Sequence, residues 1–332
     1  MGPVSEPIDL PRPSRRGRLL RLGAAFAVLL ALVGYVVVQY VSGSSAPQCV
    51  AGTGQGQGTF GLSREQAGNA ATITAVGTAH GMPERAVTIA LATALQESGL
   101  RNLDHGDRDS LGLFQQRPSM GWGTAEQIMD PVYAAGKFYE HLAEVPGYSR
   151  LPLTVAAQDV QRSGFPQAYA KHEPDATVLM SALTGRESAA LTCAVGKNAE
   201  PGDPARVREE LTKAFGDAIA PPARQPGERA GDVVVPVRAT DGAAASGTGR
   251  ARHGWELAHW AVARADALHI ARVSYAGRTW SADGSDRGWT AARRDAAPDP
   301  GASAAGTDAG AGTGTDAGAG AGAQEVRITL AT

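Results

Sequence analysis

The chain has 332 residues, a formal net charge of −2 at pH 7 and two cysteines. So even a charge balance argues against nucleic acid as a partner, because such binders carry a basic footprint. The length suits one good domain with a smaller companion, and the excess of Gly and Ala over aromatics carries no functional information.

Residues 1–21 form a basic segment containing Arg12, Arg15, Arg16, Arg18 and Arg21. An uncharged run from Leu22 to Val41 follows. About twenty apolar residues cross a bilayer as a helix, and arginines before but not directly after the run set the N-terminus in the cytoplasm. The expectation is a transmembrane signal anchor over 22–41. It gives a single-pass protein of the cell membrane with its main domain extracytoplasmic. A cleaved signal peptide is the alternative, although its apolar region is usually roughly 7–15 residues. Residues 42–61, rich in Gly, Ser and Gln, read as a linker.

Helical patterns begin next. Ser63 with Gln66 resembles a capping box, and its helix should run to about His80, with Gly81 as the stop. Pro83 suits the first turn of a helix that carries Val87, Ile89, Leu91, Leu95 and Glu97 and ends at Gly99. Residues 100–123 hold several Gly, Asp and Pro residues and read as loops, with room for a short hairpin. Helices are expected again at Thr124–Met129, Pro131–Glu144, Leu153–Arg162, Pro166–His172 and Asp175–Leu183. Segment 62–195 is thus a helical domain with one long irregular insert, and unstructured loops of that length are usually functional.

Residues 196–249 read as a linker with a helix at Val207–Ile219 and a strand at Val233–Val235. A small α+β module is expected over 250–332, with a helix at Trp255–Leu268 and strands at Ile270–Tyr275, Thr279–Trp280 and Val326–Leu330. Residues 296–323, nearly pure Ala, Gly, Thr and Asp, cannot bury enough apolar surface to order themselves. Cys49 and Cys193 bracket the helical domain. Outside the membrane a disulfide between them is the natural reading. No Cys or His neighbours have metal-ligand spacing, so neither a metal nor another cofactor is expected.

The chemistry concentrates at two places. Glu97-Ser98-Gly99 ends an apolar helix, and Ser110-Leu111-Gly112-Leu113-Phe114-Gln115-Gln116 follows in the insert. Cutting a glycosidic bond requires a proton for the leaving oxygen, and a carboxylic acid supplies it near neutral pH only if its pKa is raised. Burial raises it by disfavouring the anion. Behind Glu97 on its helix face stand Thr93, Ala90 and Ala86, none of them charged. Amides such as Gln115 and Gln116 donate and accept without a charge penalty, which suits sugars. Trp122, between Gly121 and Gly123, is an aromatic placed to stack on a sugar face or to plug the core. Asp104, Asp107 and Asp109 are candidates for a second carboxylate, although Asp is also a favoured turn residue. His105 and His172 read as surface or capping histidines.

These residues carry a resemblance. Segment 62–185 resembles the lytic transglycosylase and goose-type lysozyme superfamily of peptidoglycan-cleaving enzymes, in wording closest to actinobacterial membrane-anchored relatives. Its Glu-Ser pair is met by Glu97-Ser98, and its Gly-Leu-Met-Gln turn by Gly112-Leu113-Phe114-Gln115. Its Ala-Tyr-Asn-Ala-Gly stretch falls on Ala156–Gly164, where the tyrosine and asparagine are absent and Gln161 stands in for the amide. Its late tyrosine corresponds to Tyr169. The resemblance implies a mainly α, lysozyme-like fold. It implies Glu97 as catalytic acid, with Ser98, Gln115, Gln116, Trp122, Gln161 and Tyr169 around peptidoglycan glycan strands. The implied reaction cuts the bond between N-acetylmuramic acid and N-acetylglucosamine. The alternative, resting on the altered third stretch, is a non-catalytic peptidoglycan-binding or scaffold protein.

Overall fold

The computed structural model describes residues 24–26, 28–30, 48–52, 58–162, 167–196, 200–219, 229–237, 247–292 and 324–332. Residues from Pro47 onward form one compact unit, separate from Met1–Ala46.

The chain enters this unit through strand β1, Cys49–Ala51, which lies between β2, Phe60–Leu62, and a later strand β3, Leu191–Cys193. Both pairings are antiparallel and put Cys49 directly opposite Cys193. The two cysteines form the expected disulfide, buried at the base of the helical part.

Helix α1, Arg64–Ala79, begins where Ser63 and Gln66 close the expected capping box, each side chain bonding the other's backbone N–H. Helix α2, Glu84–Ser98, ends at Gly99, whose left-handed backbone (φ 62°) is relaxed only for glycine. The Gln66 amide then donates to the Gly99 carbonyl at 2.8 Å, tying the start of α1 to the end of α2. The insert contains two isolated antiparallel bridges, Leu103 with Gly112 and Leu111 with Gln116, and a 3-10 turn at Pro118–Met120. Four further helices follow: α3, Ala125–Ile128; α4, Pro131–Glu144; α5, Leu153–Gln161; and α6, Glu173–Leu183. Of the expected Pro166–His172 helix, Pro166 lies outside the described residues, residues 167–169 form a turn, and a 3-10 turn occupies Ala170–His172.

Helix α7, Pro204–Phe215, starts on Asp203, whose carboxylate accepts from the Ala205 N–H at 2.8 Å. Helix α8, Gly247–Ala263, begins and ends earlier than Trp255–Leu268. It lies over a five-stranded antiparallel sheet of β4, Asp232–Pro236; β5, Ile270–Tyr275; β6, Arg278–Ser281; β7, Thr290–Ala291; and β8, Glu325–Leu330. The order is β4-β8-β5-β6-β7, so the last strand inserts between the first two. In β8, Val326, Ile328 and Leu330 are buried and alternate with half-exposed residues, as a sheet with one covered face requires.

The two halves share one core. Helix α8 packs on β5 and also on α1, α6 and β3. His259 of α8, wholly buried, faces the Ala182 carbonyl through Nδ1 at 2.7 Å and accepts from the Ala190 N–H through Nε2 at 3.0 Å. Trp289 donates its indole N–H to the Leu191 carbonyl at 2.8 Å.

Two expectations are corrected. The fold is not mainly α but mixed helix and sheet, with two antiparallel sheets. Strands of three residues show too little alternation to be read, and β1 meets β3 only across a separation of 144 residues. The transmembrane signal anchor at 22–41, and with it the single-pass cell-membrane placement, is also not upheld. Among the described residues no helix is long and apolar enough to cross a membrane. From 22–41, only 24–26 and 28–30 are described, as helix with exposed side chains; the rest lies outside the described residues, as does the Ala/Gly-rich stretch 296–323.

Candidate functional site

Glu97 sits in the last turn of α2, one residue before Ser98 turns inward. The Ser98 hydroxyl is buried and donates to the Leu113 carbonyl at 2.8 Å, bolting the helix end to the Gly112–Gln116 turn. Gly112 is required there: its φ is 75°, and a Cβ would stand 2.7 Å from the Ile128 carbonyl oxygen. Phe114 then stacks on Phe138 of α4 with ring centroids 4.6 Å apart, anchoring the turn in the core.

The Glu97 carboxylate faces a cleft of about 1080 Å³. The Tyr169 hydroxyl donates to its Oε1 at 2.6 Å, and the Gln161 amide also reaches it. Gln161 in turn donates to the Phe114 carbonyl at 2.7 Å, so one amide joins helix α5, the turn and the acid. Burial pushes the Glu97 carboxyl above its ordinary value. The bonds from Tyr169 and Gln161 pull the other way without cancelling the shift. Glu97 is therefore a carboxyl inclined to keep its proton, at the wall of an open cleft.

The remaining candidates divide by position. Gln115, Trp122 and Gln161 line the cleft with Glu97. Trp122 is half-buried, and its ring lies 4.3 Å from that of His141, which lines the same cleft. Tyr169 is buried behind Glu97. Gln116 is buried beneath the turn and donates to the Ala134 carbonyl at 3.0 Å, holding the insert against α4.

The aspartates of the insert are mostly committed elsewhere. Asp104 pairs with exposed His105 at 2.8 Å. Asp109 accepts from the Arg117 guanidinium at 2.8 Å and from the Ser119 N–H at 2.8 Å, and these bonds hold its carboxyl far below the usual range. Asp107 lines the cleft. His172 sits 3.2 Å from the Gln96 side chain, and burial depresses its pKa.

The cleft also gathers side chains that sequence reasoning passed over: Arg108, His141, Glu144, Asp159 and Arg162. Asp159 and Arg162 flank Gln161, so their nearness to the site was available from that stretch. His141 and Glu144 come from the far end of α4, and only the packing of that helix brings them in. Among the described residues, no group of three or more His, Cys, Asp or Glu side chains is placed to hold a metal ion.

A family model described as VldE, C-terminal domain, matches residues 207–300. That span begins within α7 and runs past β7, and every cleft-lining residue lies outside it. No curated protein matches the chain.

Proposed function

We propose that the chain cleaves peptidoglycan glycan strands at the bond between N-acetylmuramic acid and N-acetylglucosamine, with Glu97 as the acid. The observation that carries this reading is the Glu97 carboxyl itself: raised by burial, held by Tyr169 and Gln161, and open to a cleft of glycan size. The resemblance of Glu97-Ser98 and Gly112–Gln115 to the peptidoglycan-cleaving superfamily supports the substrate class.

In the proposed reaction the Glu97 proton passes to the glycosidic oxygen as the bond to muramoyl C1 breaks. Positive charge develops at C1, as in other glycosidic cleavages. The Glu97 carboxylate left behind then removes the proton of the muramoyl 6-hydroxyl, whose oxygen closes on C1. The acid is regenerated and an anhydro sugar results. Tyr169 steadies the carboxylate during the interval when it is charged. His105 and Arg117 engage Asp104 and Asp109, so a water-activating pair would have to draw on Asp107 or Asp159, the aspartates that line the cleft.

The test is mass spectrometry of the products released from purified peptidoglycan by the full chain. Anhydro-muropeptides are the expected outcome, absent with Glu97→Gln. Reducing-end products would replace the intramolecular step by hydrolysis and direct attention to Asp107 and Asp159. Retained wall binding without products would overturn the enzymatic reading in favour of a binding or scaffold protein.

A further inference from the structure

We propose that Arg108 and Arg162 make the cleft selective for glycan bearing a free carboxylate near the cut site, an inference that rests on the glycan-cleaving reading above. The two residues reach the same cleft from different segments, Arg108 from the insert and Arg162 from the end of α5. Both have left-handed backbones, with φ of 57° and 51°. That conformation is disfavoured for arginine and persists only where the surroundings impose it. Arg162 follows Gln161 directly, so its backbone is fixed beside the group that bonds Glu97.

The third arginine of the cleft is already engaged. Arg117 gives its Nε–H to Asp109 at 2.8 Å and an Nη2–H to the Ser119 hydroxyl at 3.3 Å. Arg108 and Arg162 are different. Arg108 has only a loose surface ion pair, its Nε 4.0 Å from Asp107 and too far for a hydrogen bond, and the Arg108 side chain is largely exposed, as is Arg162. Among the described residues, the Arg162 guanidinium meets no carboxylate. Asp107, Glu144 and Asp159 share the lining, so a bulk positive field is not what would draw the substrate. A guanidinium instead offers a planar fork of donors that matches a carboxylate in two parallel bonds.

Muramoyl glycan has two sources of that group. One is the lactyl carboxylate, free once the stem peptide has been removed. The other is the set of carboxylates on the stem peptide itself. Neutral N-acetylglucosamine polymers have neither.

The experiment measures binding by titration calorimetry with the full-length Glu97→Gln protein and three probes. These are a chitin hexamer, glycan strands stripped of their peptides by an amidase, and strands with peptides intact. At low salt, a carboxylate-bearing probe should bind about tenfold more tightly than the hexamer, the scale of a charge-assisted hydrogen bond. The difference should shrink with added salt and close when Arg108→Gln and Arg162→Gln are introduced together. Arg162→Gly, which relaxes the backbone while removing the charge, should narrow it as well. Tightest binding of stripped strands assigns the group to the lactyl arm; tightest binding of intact strands assigns it to the peptide. Equal affinity for all three probes, or a loss in the arginine variants that is as large for the hexamer, would overturn the inference. Should the unaltered chain release no muropeptides yet discriminate among the probes, the cleavage reading fails and the carboxylate selectivity stands.

Discussion

The Tyr169 hydroxyl lies 2.6 Å from Glu97 Oε1, although the two residues are 72 positions apart in the chain. The phenol stabilises the charged form of an acid whose pKa burial raises. Tyr169→Phe preserves the buried ring and removes the hydroxyl. The Glu97 pKa should then rise further, so the alkaline limb of the pH–activity profile should move to higher pH. Turnover should fall on the order of tenfold, because the carboxylate left by proton transfer loses a hydrogen bond. A profile unchanged in position would show that the contact does not tune the acid.

Glu97→Gln should lower peptidoglycan cleavage by at least ~10²-fold, the usual contribution of a positioned acid. It should not lower stability at pH 7. A raised folded pKa means that the folded protein holds a proton the unfolded chain has released. The stability contributed by Glu97 is therefore full below its ordinary value of 4.5 and is lost as pH rises through the raised value. Glutamine has no such loss. Thermal unfolding at several pH values should show the variant gaining on the parent as pH rises from 4 to 7; a variant that loses ground instead would contradict the burial argument.

His259 should make the fold acid-sensitive. It is wholly buried and neutral, and burial depresses its pKa to about 4. The unfolded chain binds a proton near the ordinary 6.5, so stability is present above that value and lost as pH falls toward 4. The loss is on the order of 3 kcal/mol for a group shifted this far. His259→Gln should be less stable at pH 7 and should lose that part of the acid slope, as read from urea unfolding between pH 7 and pH 4.

Replacing Cys49 and Cys193 together by serine should cost up to about 5 kcal/mol in the chain-entropy model, because the bridge closes a loop between residues 144 apart. Both cysteines are buried, so the oxidised protein should resist reductant until it unfolds. Comparing melting temperatures with and without dithiothreitol, beside the double serine variant, checks both points.

What could be read from the sequence was local. Ser63 with Gln66 and Gly99 mark helix ends through bonds that span a few residues, and the corresponding helices begin or end there. The alternation in Ile270–Tyr275 and Val326–Leu330 likewise foretells strands. The small sheet of β1, β2 and β3 is invisible to such reasoning, since each strand has three residues and β3 is remote from the other two; only the cysteines hint at it. The merging of the two halves into one core is hidden for a similar reason. His259 looks like one more residue on an amphipathic helix until Ala182 and Ala190 are brought against it. At the site, Glu97 and the glutamine turn stand out by type and spacing. The burial of Gln116 and the arrival of His141 beside Trp122 depend on how α4 packs, which no short pattern encodes.

The Cys49–Cys193 bridge has a mechanical consequence. Because Cys49 and Cys193 are adjacent partners in one sheet, the chain segments entering and leaving the cleft-bearing helices do so side by side. Tension applied between residue 48 and residue 194 would run through a covalent sulfur–sulfur bond and bypass the 143 residues between the cysteines. The cleft would keep its shape while the chain outside it was stretched, and reduction of the bridge would leave that load to the backbone hydrogen bonds between β1 and β3.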